Sequence, residues 1–363
     1  MTTRLTNCRI VCVGKRRDGG SRYWCAEHKA DATAKYGRRG KKCRYALVPQ
    51  ILPSELLDLH LDNYTGGVGL WGAVPPIYDT TSLTVERGVH VHARRVAGAD
   101  KDIDRTYRAV RIIKDGQEAG IISELDAIYY MVASVFGYRM KYVKCELCGF
   151  PHLDKDWFSL HPHRRHLCAG CGKQFRDTEK AIGNPAIRIN EILCSNHKVR
   201  TAPKPLTIKQ EDFPGGIQIW GSNPAILWTS SEPEHSGVHI HAFAKDETKP
   251  EIDETYSSLT IDGVKLSARM VKMFMAQRAL PHIEGRVVDL HCPRCCNRHF
   301  ATGEAAFTPK AAHLCRYCGT VFSAKGRLRK VIGNPVVGLI TRLTKHAVRA
   351  PQVHASNLIP ETL

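Results

Sequence analysis

Residues 66–93 read GGVGLWGAVPPIYDTTSLTVERGVHVHA, and residues 215–242 read GGIQIWGSNPAILWTSSEPEHSGVHIHA. A single offset carries Gly66-Gly67, Trp71-Gly72, Pro75, Ile77 and Thr80 onto Gly215-Gly216, Trp220-Gly221, Pro224, Ile226 and Thr229. The stretch therefore occurs twice, and internal repetition at this scale sets the architecture before any single residue is read. Working outward, each copy leads through an insert to four cysteines and closes on an IGNP tetrapeptide, Ile182–Pro185 and Ile332–Pro335.

The end of the stretch carries the densest chemistry. Side chains alternate along a strand, so GVHVHA sets Val89 and Val91 on one face and His90 and His92 on the other. The two imidazoles then stand about 7 Å apart along the strand, close enough to share one metal ion. GVHIHA does the same with His239 and His241. Asp104, Thr106 and Tyr107 follow the first pair, and Asp253, Thr255 and Tyr256 follow the second. The candidate catalytic set is thus His90, His92, Asp104 and Tyr107, with His239, His241, Asp253 and Tyr256. A further divalent metal is expected at these strands. A purely structural reading stands beside it, in which the histidines are hydrogen-bonded to Asp and Tyr across a sheet.

The elements around the stretch read as follows. Ser54 caps a short helix over residues 55–59, rich in leucine. Residues 69–77 and 88–94 are strands. A hairpin turns at Asp115-Gly116, and its counterpart turns at Asp262-Gly263. A helix runs from Ser123 to Phe136, where Leu125, Ile128, Tyr129 and Val132 recur at helical spacing and Gly137 stops it. Its counterpart runs from Ser267 to Leu280. The fold class is α+β: a tandem duplication of a small sheet-plus-helix unit with a zinc ribbon, preceded by a small N-terminal zinc module. The expected divisions are 1–50 (basic zinc module), 54–200 (first repeat, ribbon 145–171), 206–345 (second repeat, ribbon 292–318) and 346–363 (basic tail). The two repeats are expected to pack with pseudo-twofold symmetry.

Eight of the 14 cysteines fall in CxxC pairs. Cys145, Cys148, Cys168 and Cys171 form one set, and Cys292, Cys295, Cys315 and Cys318 the other. Two knuckles joined by a medium loop suit tetrahedral zinc rather than a disulfide framework. The endings CGKQF and CGTVF resemble zinc ribbons of nucleic-acid-binding proteins, a local likeness confined to these modules. Cys12, Cys25, His28 and Cys43 form a third ligand set, with Cys8 as an alternative to Cys12, so about three zinc ions are expected. Cys194 and Cys296 read as plain cysteines. His152, His166 and their counterparts His299 and His313 are expected to brace the ribbons through bonds to the knuckle sulfurs.

Three enzyme resemblances touch these residues. His-x-His followed by Asp after eleven residues is similar to the JAMM metalloprotease pattern, whose companion Ser is absent here. Two strand histidines with a tyrosine resemble the HUH endonucleases, in which the tyrosine attacks a DNA phosphate. The first ribbon loop, with His152, Asp154, Asp156, His161, His163 and His166, resembles the ββα-metal nucleases. That family's paired Asp-His motif is missing, and Asp154, His161 and His163 become Ala301, Thr308 and Lys310 in the second copy, so the preferred reading of this stretch is a polar, solvated ribbon loop.

The net charge of +18, from 53 Lys/Arg against 35 Asp/Glu, points to a polyanionic partner, nucleic acid before membrane. Residues 1–50 hold 13 Lys/Arg against Asp18, Glu27 and Asp31. Arg16, Arg17, Arg38, Arg39, Lys41 and Lys42 are candidate phosphate contacts, and Tyr23 and Trp24 candidate stacking partners for a base. No apolar run reaches the roughly 20 residues of a membrane span. With no secretory signal, a cytoplasmic or other reducing compartment is expected. The functional readings are a zinc-binding, nucleic-acid-binding protein; a metal-dependent nuclease or hydrolase built on the His-x-His strands; and a zinc-stapled interaction scaffold.

Overall fold

The computed structural model describes residues 55–95, 102–137, 140–194, 197–222, 224–244, 247–324 and 329–349, and the backbone of three strands before them. Those three strands, β1 (Ile10–Lys15), β2 (Ser21–Cys25) and β3 (Ala30–Asp31), form one antiparallel sheet. Cys12, Cys25, Tyr23 and Trp24 lie on β1 and β2, where only the backbone is described. His28, Cys43, Arg16, Arg17, Arg38, Arg39, Lys41 and Lys42 lie outside the described residues, as does the tail after residue 349.

The first repeat is built of β4 (Leu56–His60), β5 (Gly67–Ala73), β6 (Tyr78–Asp79), β7 (Gly88–Arg94), β8 (Ile103–Tyr107), β9 (Ala109–Lys114), β10 (Gln117–Ser123) and helix α1 (Glu124–Phe136). β9 and β10 form the expected hairpin, with Asp115 and Gly116 both at positive φ. Ser123 caps α1 reciprocally with Asp126, and Gly137 ends it in the left-handed conformation. The expected helix over 55–59 is instead strand β4, parallel to β9 from Leu56↔Ala109 to His60↔Ile113. Its leucines give locally helical propensity, but pairing with a strand some fifty residues later overrides it.

The ribbon follows, with β11 (Met140–Lys141), β12 (His163–Leu167) and β13 (Gln174–Gly183), then α2 (Ala186–Leu193). The second repeat continues with β14 (Val199–Thr201), β15 (Pro205–Ile208), β16 (Gly216–Gly221), β17 (Leu227–Trp228), β18 (Glu234–Ser236), β19 (Val238–Phe243), β20 (Ile252–Tyr256), β21 (Ser258–Ile261), β22 (Val264–Ser267) and α3 (Ala268–Ala279). A one-turn helix α4 (Pro281–Glu284) leads to the second ribbon. Its strands are β23 (Val287–Val288), β24 (Leu290–His291), β25 (Arg298–His299), β26 (Ala312–Leu314), β27 (Val321–Ser323) and β28 (Ile332–Gly333), before α5 (Val336–Arg349).

The topology repeats with the sequence. β4-β9-β10 matches β15-β21-β22, and β8-β7-β5 matches β20-β19-β16. Each four-stranded sheet is completed by a strand from the other copy. β17 pairs with β5 through Leu227↔Leu70, and β6 pairs with β16 through Ile219↔Tyr78. The bonds match as well: Val68 N donates to Thr229 Oγ1, and Ile217 N donates to Thr80 Oγ1. The Pro75-Pro76 and Pro224 segments thus carry two crossing arms, and the repeats interlock. Gly67 and Gly216, at φ +106° and +102°, allow the crossing. A Cβ on either would lie 2.8 Å from the backbone of Ser230 or Thr81.

Helices α1 and α3 pack against each other and beneath β5 and β16. The glycine of each Trp-Gly pair permits this approach, since a Cβ would come within 2.5 Å of Ala127 O at Gly72 and 2.8 Å of Lys272 Cα at Gly221. Two apolar clusters result. One surrounds Leu70, Val89, Val91 and Ile112, and the larger surrounds Ile219, Ile240, Leu259 and Val271. Arm residues cross between them: Ile77 and Tyr78 join the larger cluster, and Ile226 and Leu227 the smaller. The IGNP tetrapeptides end β13 and β28. Asn184 and Asn334 are buried and accept from the N–H groups of Ala186 and Val336, which starts the helix that follows. Among the described residues, no helix is long and apolar enough to cross a membrane.

Candidate metal centres

Val89, Val91 and Ala93 of β7 are fully buried, while His90 and His92 face outward, half-buried. The neighbouring strand then decides what meets the imidazoles. In β8, Asp104 pairs with His92 and Thr106 with His90. In β20, Asp253 pairs with His241 and Thr255 with His239. Strand parity therefore brings Asp and Thr to the histidine face and sends Tyr107 and Tyr256 to the opposite face, against the apolar clusters. The structure does not place either tyrosine with the imidazoles.

Three ligand atoms converge in each copy. His90 Nε2 lies 2.8 Å from His92 Nε2, and Asp104 Oδ1 lies 3.2 Å from His92 Nε2 and 3.5 Å from His90 Nε2. The second copy gives 3.0 Å between the imidazoles and 3.2 and 3.4 Å from His241 and His239 to Asp253 Oδ1. Zinc bound to N and O at about 2.0–2.1 Å in a tetrahedron sets neighbouring ligand atoms about 3.3 Å apart, so both triads have the spacing of a metal site. The far ring nitrogens are held too: His90 Nδ1 is 3.0 Å from Thr106 Oγ1 and His239 Nδ1 is 3.2 Å from Thr255 Oγ1. Such outer bonds fix the ring and turn Nε2 toward the ligand position.

The electrostatics favour a neutral His90 and a neutral His239 facing carboxylates. Burial, then the neighbouring histidine, pulls His90 down to about 3 and His239 down to about 4. Asp253 is held down at about 2, chiefly by its bond from His241, and Asp104 is lowered chiefly by its bond from His92. The centres also act on each other. His239 and His241 help lower His90, and Asp253 opposes the lowering of Asp104. The two triads are thus near neighbours. Asp104 and Asp253 keep 58 % and 36 % of their side-chain surface, so each centre is open on its carboxylate side.

Several residues at the centres escaped the sequence reading. Trp71 and Trp220 set their rings edge-on to His92 and His241, at 5.3 and 4.9 Å between centroids. The crossing arms add a fourth member to each row: Trp228 beside Gly69 and His92, and Asp79 beside Gln218 and His241. The repeated Trp-Gly pairs were a visible signal; the arm residues left none.

The cysteine sets converge as expected. Cys145–Cys171 and Cys148–Cys168 sulfurs are 3.8 and 3.5 Å apart, and Cys292–Cys318 and Cys295–Cys315 are 3.6 and 3.5 Å apart. Zinc–sulfur bonds of about 2.3 Å give an edge of about 3.8 Å. All eight are free thiols. Cys168 is drawn down to about 6, first by the Cys171 amide, and Cys318 to about 6, first by the Thr320 hydroxyl. Each set thus holds one thiol drawn toward the thiolate and one pushed away from it, since Cys148 is raised to about 12 and Cys292, chiefly by burial, to about 11. The sulfurs are bonded by backbone amides, as at Gly170 N and Cys171 N to Cys168, and by Asn297 Nδ2 to Cys295. The ribbon histidines do not take that part. They meet one another edge-on, and His152 and His299 set their rings edge-on to Phe175 and Phe322. Cys194 accepts from Trp228 N and so helps to seat the second arm. Compared with known proteins, the chain matches no family model, and no curated protein or solved structure is similar to it.

Proposed function

We propose that the chain is a metal-dependent phosphodiesterase of nucleic acid, with its two His-His-Asp triads as paired active centres and the cysteine ribbons as zinc staples. The observation that carries this reading is the duplicated convergence of two Nε2 atoms and one carboxylate oxygen at tetrahedral spacing, open on one side. Three protein ligands with a free fourth position are the mark of a catalytic rather than a structural zinc site. A divalent ion there supplies a Lewis acid for a phosphoryl oxygen and an ionisable water. The chain's own residues hold the geometry: Asp104 and Asp253 balance the charge, Thr106 and Thr255 orient the rings, and Trp71 and Trp220 wall the centres. Pseudo-twofold pairing suits a duplex, whose strands are themselves related by a twofold axis.

Binding is assigned to the basic surface, including residues 1–50 and the ribbons. The first ribbon exposes Trp157 and Phe158, each 50 % accessible, beside exposed Arg164 and Arg165. This combination fits base stacking with phosphate contact.

The test is cleavage of supercoiled plasmid DNA and duplex RNA with Zn2+, Mn2+ or Mg2+. Wild type is expected to cut both strands. His90→Ala with His92→Ala is expected to nick only, and adding His239→Ala with His241→Ala to abolish cutting while the ribbon zinc remains. Full activity in the fourfold variant would sink the catalytic assignment. A wild type that binds these nucleic acids with steep salt dependence but cuts neither would instead favour a binding protein.

A further inference from the structure

We propose that the first ribbon holds an additional metal site, absent from the second, in which His152 Nε2, Asp154 Oδ1, His163 Nε2 and His166 Nδ1 bind one divalent ion of the zinc type. The carboxylate oxygen is the hub. His152 Nε2 lies 2.7 Å from it, His163 Nε2 3.3 Å and His166 Nδ1 3.5 Å. These separations bracket the tetrahedral edge of about 3.3 Å for N and O ligands.

Three features of the pocket ask for a cation. Asp154 is almost wholly buried, and its charge is met by imidazoles and the Gly183 N–H rather than by Lys or Arg. His166, whose side chain is fully buried, has neither ring nitrogen hydrogen-bonded. Leaving both ring nitrogens unpaired there is costly unless a ligand takes one. His163 Nδ1 donates to His161 O, so in the neutral ring Nε2 carries the lone pair. That lone pair faces Asp154 Oδ1, a repulsive pairing that a cation between them turns into attraction.

The duplication supplies the control. The second ribbon keeps the edge-on pair His299 and His313, and its Ala301 N donates to Gly333 O as Asp154 N donates to Gly183 O. Yet Ala301 and Lys310 stand where Asp154 and His163 would be. The ribbon therefore folds without a buried carboxylate, and the one in the first copy serves something else. Three imidazoles and a carboxylate form a borderline donor set suited to zinc, with no ligand position left open. Such an ion ties the loop at 154–163, with Trp157 and Phe158, to the end of β13.

The test uses the full chain with Zn2+ as the probe and counts bound metal by native mass spectrometry alongside thiol accessibility. Asp154→Ala with His163→Lys, which copies the second ribbon, is expected to lose one equivalent while all eight ribbon thiols stay protected. Ala301→Asp with Lys310→His is expected to gain one. Unchanged stoichiometry in both variants overturns the site, and the gain variant decides the matter if the loss variant fails to fold. Neither variant touches the His-His-Asp triads, so the result is independent of the cleavage assay.

Discussion

At the scale of single residues, Thr106 and Thr255 separate a metal site from a hydrogen-bonded histidine pair. Each is the Nδ1 partner of one imidazole. Outer partners of this kind typically contribute about 10–100-fold to metal affinity. Thr106→Val is therefore expected to weaken zinc at the first centre by about that factor and leave the second unchanged. Competition with a chromophoric chelator measures both. Equal affinity in wild type and variant would mean that the ring is held by its neighbours alone. The histidine face was legible because a strand has a period of two, and the same rule could have placed the tyrosines. Asp104 and Thr106 share a parity with each other, and Tyr107 does not. Pairing residues by nearness in sequence concealed what parity shows. Trp228 and Asp79 were beyond reach, because their neighbours come from the opposite repeat.

At the scale of elements, the two central helices start differently. Ser123 caps α1 with a reciprocal bond to Asp126, whereas Ser267 makes no side-chain cap at the start of α3. Ser123→Ala is expected to cost about 1 kcal/mol, the usual contribution of a serine cap, and Ser267→Ala close to nothing. Urea denaturation compares the two. Similar losses in both would show that the cap of α1 adds little to its packing. Helix α1 was legible to within a residue because cap, apolar period and terminal glycine agree. Strand β4 was not. Its pattern leaves Leu59 buried and Leu57 half-buried, and Asp58 bonds Arg111 of its partner β9. None of that partnership is visible inside a five-residue window.

At the scale of the whole molecule, the crossing arms remove the independence that a tandem repeat suggests. Each arm closes the other copy's sheet, fills part of its apolar cluster and adds a residue to its His-Asp row. The sequence announces two units one after the other, because duplication is read along the chain and arm exchange is not. Residues 54–200 alone would leave the outer edge of β5 without Leu227 and Trp228, and would free the carbonyls of Leu70 and Val68 that accept from Ile226 N and Thr229 N. Residues 206–345 alone would lose Tyr78 and Asp79 from β16 and the α1 surface that packs against α3. A bare sheet edge beside an uncovered apolar helix face favours aggregation or pairing with another chain. Each half made separately is thus expected to be unfolded or self-associated, and the two mixed are expected to form a one-to-one complex with a native-like melting transition. Size-exclusion chromatography with light scattering and thermal melts of the halves and the mixture check this. A half that stays monomeric and melts cooperatively would show that the arms decorate two finished domains. Within the full chain, Gly67→Ala probes the same crossing. The added Cβ meets Ser230 at 2.8 Å on a backbone already at φ +106°, so a loss of about 3 kcal/mol is expected, at the upper end of ordinary single substitutions. Because the arm holds both copies, that loss should lower one shared unfolding transition rather than split it in two.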